Sequence, residues 1–165
     1  MLGAGGSALA VCAYLAHEKH GDAVPARIQM NNRSVQRLAE AVHLLGDSRV
    51  QMSFNLCPVP EWNDRIVESL PEGSLIINAT GMGKDRPGSP VTDRCRFPKN
   101  SVIWEFNYRG LLEFMHQAEA QQEASGLRIE NGWTYFIHGW TQVIAEVFHI
   151  AISGDRLAMC DQLAR

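Results

Sequence analysis

The feature that most constrains the fold of this chain is a run of small residues at its start, from Gly3 to Ala8. Gly3, Gly5 and Ala8 match G-x-G-x-x-[G/A], the turn that joins a parallel strand to a helix in dinucleotide-binding sheets. The first small residue permits a tight turn, the second leaves room for a pyrophosphate, and the third lets the helix pack closely on the sheet. The N–H groups at the start of such a helix favour an anion. The run predicts a phosphate site formed by Gly3, Ala4, Gly5, Gly6, Ser7 and Ala8.

The strand that should precede this turn is nearly absent. A buried parallel strand has about five residues, and only Met1 and Leu2 precede Gly3. The first strand of a doubly wound sheet lies between two others, so its loss would leave two strand edges unpaired. We therefore expect either a longer native chain or another segment in the gap, and we favour the longer chain.

Composition narrows the class of protein. The chain has 165 residues, of which 45% are hydrophobic and 20% charged, which suits one soluble domain with a real core. A net charge of −3 argues against a nucleic-acid surface. No stretch approaches the roughly 18 apolar residues of a membrane span. The four cysteines form no C-x-x-C pair, so the sequence predicts neither a metal site nor a disulfide framework, and it indicates a reducing cytoplasm.

Strand-like and helix-like segments alternate along the chain. Strands are predicted at residues 26–30, 50–56, 74–78, 102–106 and 127–130, and helices at 7–20, 35–45, 61–70, 111–124, 133–153 and from 155 onward. Alternation of this kind indicates βαβ units and a parallel sheet. We therefore predict a single α/β domain over residues 1–165, a Rossmann-like doubly wound parallel sheet that lacks most of its first strand. In such sheets ligands bind outside the carboxyl ends of the strands.

The residues after the strand predicted at 26–30, which would be the second strand of the Rossmann-like sheet, discriminate between cofactors. An NAD site usually has an acidic residue here to bind the ribose hydroxyls, but this chain has Asn32-Arg33-Ser34, with Arg37 one helical turn later. Two guanidinium groups and a hydroxyl suit a 2′-phosphate, which favours NADP over NAD. The alternative is an ordinary helix start, with Ser34 as the cap and two solvated arginines.

These segments, taken together, resemble the NADP-binding domain of the shikimate dehydrogenase and quinate/shikimate dehydrogenase family. The matching motifs are 3–8, then Asn32-Arg33-Ser34 with Arg37, then 77–80 followed by Gly83, in order and at matching spacing over roughly residues 1–150. The resemblance implies that the arginines hold the 2′-phosphate and that Asn78, Ala79, Thr80 and Gly83 lie beside the cofactor. It also implies that Gly132 approaches the nicotinamide end.

The chain departs from the family pattern at the substrate side. The family's Asn-Ala-Thr-Pro-Leu-Gly-Met is Asn-Ala-Thr-Gly-Met-Gly-Lys at 78–84, and its Tyr-x-Pro becomes Asn-Tyr-Arg-Gly at 107–110, where Tyr108 stands as a candidate cleft residue. The family's Met-Leu-x-x-Gln on the last long helix is replaced by Tyr-Phe-Ile-His-Gly at 135–139. The resemblance implies a small cyclic hydroxy acid such as shikimate or quinate as substrate, and these departures put shikimate itself in question.

Catalysis in the family rests on a lysine and an aspartate from an N-terminal substrate domain, which this sequence does not contain. Within the chain the candidate acids and bases are Lys84, Asp85, Tyr108 and His138. For each of the charged candidates a solvated or packing role is the more ordinary interpretation. We therefore expect an oxidoreductase that is incomplete without its substrate domain. The alternative is a non-catalytic module that binds a dinucleotide or serves as a scaffold for a partner.

Four aromatic residues surround the last long helix. We expect Trp133, Phe136, Trp140 and Phe148 to belong to the core. The alternative is a surface that docks the missing substrate domain or a second subunit, which would make a homodimer.

Overall fold

The computed structural model describes residues 1–84 and 86–165 and has an α/β fold. Its strands are β1 (Arg27–Asn32), β2 (Gln51–Leu56), β3 (Leu75–Asn78), β4 (Val102–Glu105) and β5 (Arg128–Glu130). Its helices are α1 (Gly6–Leu15), α2 (Val35–Leu45), α3 (Pro60–Glu68), α4 (Glu113–Glu119), α5 (Gln122–Ser125), α6 (Trp133–Phe148) and α7 (Asp155–Ala164). None of the described helices is long and apolar enough to cross a membrane.

The sheet is parallel, and the short N-terminal segment completes its centre. β2 pairs with β1, and β3, β4 and β5 pair in that order, all in parallel. Leu2 bridges the two groups through parallel pairings with Asn31 and Asn78. The Leu2 N–H donates to the Ile77 carbonyl at 2.8 Å, and the Asn31 N–H donates to the Met1 carbonyl at 2.9 Å. The predicted Rossmann-like doubly wound parallel sheet is confirmed, with Leu2 pairing in the position of its first strand.

The strands β1 and β3, which flank Met1, separate near their amino ends. A cleft of about 600 Å³ lies there between β1 and β3, lined by apolar side chains such as Ile28, Ile76 and Val67. The Met1 amino group donates to the Gln29 carbonyl at 2.8 Å, and its burial lowers its pKa to about 6. Within the described residues no further strand enters this cleft. The facing edges of β1 and β3 are therefore paired through Leu2 near their carboxyl ends and are unpaired near their amino ends.

Two clusters of buried side chains attach the helices to the sheet. One joins α1 and α2 to β1 through residues that include Ala8, Met30 and Leu38. The other joins α3 and α4 to β3 and β4 through residues that include Ile103 and Phe114. The predicted bounds of α2 are confirmed. Ser34 caps the helix by accepting the Arg37 N–H, and one apolar stripe packs inward.

Three predicted helices end or break at least four residues before their predicted ends. The helix predicted at 7–20 ends at Leu15, because His17 is extended and its Nδ1 accepts the Lys19 N–H in a separate short turn. The helix predicted at 133–153 ends at Phe148, because His149 adopts a left-handed conformation. The helix predicted at 111–124 starts at Glu113 and breaks before α5.

The expected core role is wrong for two of the four aromatic residues. Trp140 is 57% exposed and Phe148 is 68% exposed. The reason is the position of α6, which follows the short edge strand β5 and buries only the side that carries Ile137 and Thr141. Trp133 and Phe136 are half-buried and take part in the aromatic cluster described below.

Candidate functional site

The glycine turn adopts the conformation that its small residues predict. Gly3 has φ of 112°, which favours glycine, and a Cβ on it would lie 2.6 Å from the Ala79 carbonyl oxygen. The Gly3 N–H donates to the Asn31 carbonyl at 2.8 Å. A side chain at Gly3 would therefore force the N-terminal segment, residues 1–3, away from the end of β3. The turn brings the ends of β1 and β3 together at one edge.

The start of α1 is open to ligand. Gly5 is the N-cap in an extended conformation, and a Cβ added at Gly5 or Gly6 would meet nothing within 4 Å. Among the described residues no side chain caps this helix, and its first turn contains no acidic residue. Its N–H groups and dipole therefore remain available to an anion. Ala8 is fully buried against the core, which is the packing role that its small size predicts.

The turn after β1 forms a capped helix start and leaves both of its arginines exposed. The Asn32 Oδ1 accepts the Ser34 N–H at 2.8 Å, and the Ser34 Oγ accepts the Arg37 N–H at 3.3 Å. Arg37 pairs with Glu40 at 3.0 Å, and their side chains are 60% and 44% exposed. Arg33 is exposed. An exposed pair contributes less than about 1 kcal/mol, so Arg37 can exchange Glu40 for a phosphate at little cost.

One cleft of about 710 Å³ brings these turns together. Most of the residues predicted from the sequence to bind the cofactor line it: Gly3, Ala4, Gly5, Gly6, Asn32, Arg33, Ser34, Arg37, Ala79 and Thr80. The other predicted residues lie outside its lining: Ser7, Ala8, Asn78, Gly83 and Gly132. Asn78 is fully buried, and the backbones of Gly83 and Gly132 pack against neighbouring turns. These three residues pack beneath the carboxyl edge of the sheet and support the turns there.

Arg86 also lines the cleft, and the sequence patterns did not identify it. Its carbonyl accepts the Gly83 N–H at 2.7 Å, and the same loop is held at Pro90, whose carbonyl accepts the Asn63 amide at 2.8 Å. The Arg86 side chain is exposed. An arginine inside a long Gly- and Pro-rich loop belongs to no motif, so only the folded position of the loop identifies it.

A buried carboxylate lies behind the turns after β3 and β4. Glu105 is fully buried and accepts two hydrogen bonds, from the Asn78 amide at 2.7 Å and from the Asn107 N–H at 2.8 Å. Burial raises the pKa of Glu105 to about 7, although these hydrogen bonds act in the opposite direction. The charge of nearby Glu113 also raises this pKa. Sequence reasoning missed this group, because a single acid at a strand end carries no recognisable pattern.

Tyr108 belongs to an aromatic cluster at the same edge. Its ring stacks on Phe136 with centroids 4.0 Å apart and meets Trp133 edge-on at 5.9 Å. The Lys84 Nζ lies 5.6 Å from the Tyr108 ring centroid. Tyr108 and Lys84 are therefore neighbours, and both lie outside the lining of the 710 Å³ cleft.

The remaining acid–base candidates are His138 and Asp85. His138 is exposed on α6, and Asp85 lies outside the described residues. Asp161 on α7 accepts a hydrogen bond from the Trp133 indole, and this bond, the first of several causes, lowers the pKa of Asp161. Among the described residues, the cleft is lined by Arg33, Arg37 and Arg86, and the aromatic cluster around Tyr108 lies outside its lining.

The sequence comparison and the structure comparison both find shikimate dehydrogenases. The chain is 33% identical to the shikimate dehydrogenase (NADP(+)) of Caulobacter vibrioides over 121 residues, which is 73% of this chain and 38% of that protein. The fold superposes on shikimate 5-dehydrogenase from Listeria monocytogenes, solved with shikimate and NAD, with a TM-score of 0.69 and 14% identity. That match covers 99% of this chain and 54% of the other. No protein-family model matches the chain.

A second solved structure shows how widely this fold is shared. The ligand-free 5-ketofructose reductase of Gluconobacter superposes with a TM-score of 0.61 and 17% identity, over 99% of this chain and 55% of that one. The match to the curated relative spans well under half of its length. The chain therefore spans 38% of this curated relative and about half of each of the two solved chains.

Proposed function

This chain belongs to the shikimate dehydrogenase family, and from that membership we propose that it is the NADP-binding part of an oxidoreductase acting on a cyclic hydroxy acid. The nicotinamide of NADP, when bound, accepts or donates a hydride. The chain's own residues bind and orient the dinucleotide. Gly3 to Gly6 and the start of α1 would hold the pyrophosphate, and Arg33, Ser34 and Arg37 would hold the 2′-phosphate.

The observation that carries the choice of NADP is the charge of the cleft lining. Three arginines, Arg33, Arg37 and Arg86, line the cleft, and among the described lining residues there is no carboxylate. A carboxylate at the end of β1 would repel a 2′-phosphate and accept bonds from a free 2′-hydroxyl. Guanidinium groups form short, charge-assisted bonds to phosphate oxygens. The lining therefore fits the phosphorylated dinucleotide better than the unphosphorylated one.

Arg33→Ala should remove most of the preference for the phosphorylated dinucleotide. We expect the Kd for NADP+ to rise roughly thirtyfold, which corresponds to about 2 kcal/mol for a hydrogen bond to a charged group. The Kd for NAD+ should change by less than about twofold, because NAD+ lacks the group that Arg33 would contact. Isothermal titration calorimetry with both dinucleotides measures the two constants.

Two further arginines provide controls. Arg86→Ala should weaken both dinucleotides alike, because Arg86 belongs to the loop after β3 and would contact the shared pyrophosphate. Arg128, at the start of β5 with its side chain 75% exposed, lies outside the cleft, and Arg128→Ala should leave both constants unchanged. Equal affinity of the unaltered chain for NADP+ and NAD+ would contradict the role given to Arg33 and Arg37.

We further propose that these 165 residues do not complete the reaction alone. Proton transfer to or from the substrate hydroxyl needs an acid or base within hydrogen-bond reach, and the described residues bring no such pair together beside the cleft. We expect no NADP+ reduction above background when the chain is incubated with shikimate or quinate, followed by absorbance at 340 nm. Turnover would show that a residue of this chain, with Lys84 and Tyr108 the first to test, serves as the acid or base.

Because the described residues bring no acid–base pair together beside the cleft, a second candidate function is also consistent with the structure. A dinucleotide-binding or scaffolding module without turnover would use the same cleft and would show the same NADP+ preference. A substrate-binding domain or second subunit that restores turnover when added would exclude this alternative. In either case the buried free thiols of Cys12, Cys57 and Cys95 suit a reducing cytoplasm.

A further inference from the structure

Glu105 links the turns that follow β3, β4 and β5 through a series of hydrogen bonds. The proposed phosphate site does not account for this arrangement. It is the last residue of β4 and pairs in register with Asn78, the last residue of β3. Both carboxylate oxygens are occupied: Oε2 accepts the Asn78 amide at 2.7 Å and Oε1 accepts the Asn107 N–H at 2.8 Å. Since Glu105 is fully buried, it cannot itself touch a ligand in the cleft.

Each partner of Glu105 holds a different turn. The Asn78 Oδ1 accepts the Thr80 hydroxyl at 2.7 Å and the Thr80 N–H at 3.1 Å, which fixes the turn after β3. The Asn107 amide donates to the Met82 carbonyl at 2.8 Å. The Asn107 carbonyl in turn accepts the Gly132 N–H at 3.1 Å, which fixes the turn after β5.

The hydrogen-bond donors around Glu105 favour a carboxylate over a carboxylic acid. The Asn78 amide can present only its N–H₂ to Glu105, because its oxygen is already taken by Thr80. The other oxygen of Glu105 faces a backbone N–H, which is always a donor. A proton on either oxygen would make that oxygen a weaker acceptor for the donor that faces it.

We propose that Glu105 is a positioning residue whose ionised carboxylate holds the turns at the nicotinamide end of the cleft in register for the cofactor. This inference rests on the proposed function, since it assigns the turns after β3 and β5 to the nicotinamide end. Burial opposes the ionised form and raises the pKa of Glu105 to about 7. Within the described residues, Glu113 at the start of α4 is the charged group that acts on it. Cofactor affinity should therefore fall as the pH drops below about 7.

The sign of this effect separates positioning from general stability. Because the pKa of Glu105 is raised from 4.5 to about 7 by folding, its contribution to the free energy of unfolding is present below pH 4.5 and is lost as the pH rises towards 7. Affinity for the cofactor should change in the opposite direction over the upper part of this range. A purely structural role would make stability and affinity change together.

The test compares the whole cofactor with a fragment that lacks the nicotinamide. We expect the unaltered chain to bind NADP+ about tenfold more tightly at pH 8 than at pH 6, the size expected for a hydrogen bond to a charged group. Glu105→Gln should bind NADP+ with the weaker affinity at both pH values, because its amide places a donor against a donor. Adenosine 2′,5′-bisphosphate should bind the unaltered chain and Glu105→Gln equally at each pH. Glu123→Gln, on the exposed surface of α5, should behave as the unaltered chain does.

The outcomes distinguish this inference from the proposed function. If adenosine 2′,5′-bisphosphate does not bind, the proposed NADP site is wrong. If the fragment binds and Glu105→Gln binds NADP+ as tightly as the unaltered chain at pH 8, the role of Glu105 is overturned. A measurement on the unaltered chain remains decisive if the variant does not fold. The ¹³C-labelled Glu105 carboxyl should titrate at a lower pH with NADP+ bound than without it, and an unchanged titration would refute the coupling.

Discussion

Gly132→Ala should unfold this protein or destabilise it by more than about 4 kcal/mol, the range reached when a substitution forces backbone segments apart. Gly132 is the N-cap of α6, with φ of −81°, so its backbone conformation is open to any residue. The cost is purely steric. An added Cβ would overlap the Phe106 carbonyl and would lie 2.9 Å from the Asn107 carbonyl carbon. Backbone atoms cannot move aside as a flexible side chain does, so β4 and the turn after β5 would have to separate.

Gly139→Ala is the matched control for this substitution. Gly139 lies within α6, and a Cβ there would meet nothing within 4 Å. Alanine in a helix interior is favoured over glycine by up to about 1 kcal/mol, so this variant should unfold at the same or a slightly higher urea concentration. Urea unfolding followed by circular dichroism measures both. A Gly132→Ala variant with an unchanged midpoint would show that the turn after β5 does not pack against β4 in this way.

Phe114→Ala should lower the free energy of unfolding by about 3–5 kcal/mol. Phe114 is 1% exposed and meets Phe97 edge-on, with ring centroids 5.7 Å apart. Its removal would leave a cavity in the cluster that attaches α4 to β3 and β4. The effect should reach the cleft, because Glu113, the preceding residue, accepts the Gly88 N–H at 2.9 Å and so anchors the loop that carries Arg86.

Phe148→Ala tests whether burial is the cause. Phe148 ends α6 and is 68% exposed, so its truncation should change the free energy of unfolding by less than about 0.5 kcal/mol. The same urea unfolding experiment compares the two variants. Equal losses for Phe114→Ala and Phe148→Ala would mean that the exposed end of α6 is covered in solution, and the size of the particle would then have to be measured.

The glycine turn and the turn after β1 could be predicted because their chemistry is local. The positive φ of Gly3 and the cap formed by Ser34 depend on neighbours within a few residues, so the sequence patterns located both correctly. Arg86 and Glu105 could not be found in this way. Each acquires its position from a residue that is distant in sequence, as when the Asn78 amide reaches Glu105 across 27 residues.

The sequence by itself determined the order of strands and helices, the parallel sheet and the small residues that open the start of α1, because periodicity and turn chemistry act over one or two turns of chain. Only the tertiary structure decided which residues share the cleft, why Glu105 is fully buried, and why Trp140 and Phe148 face outward. The physical reason is that burial and hydrogen-bond partners arise from packing between distant segments. A one-dimensional pattern indicates which residues are apolar or charged, and the folded sheet determines what each of them meets.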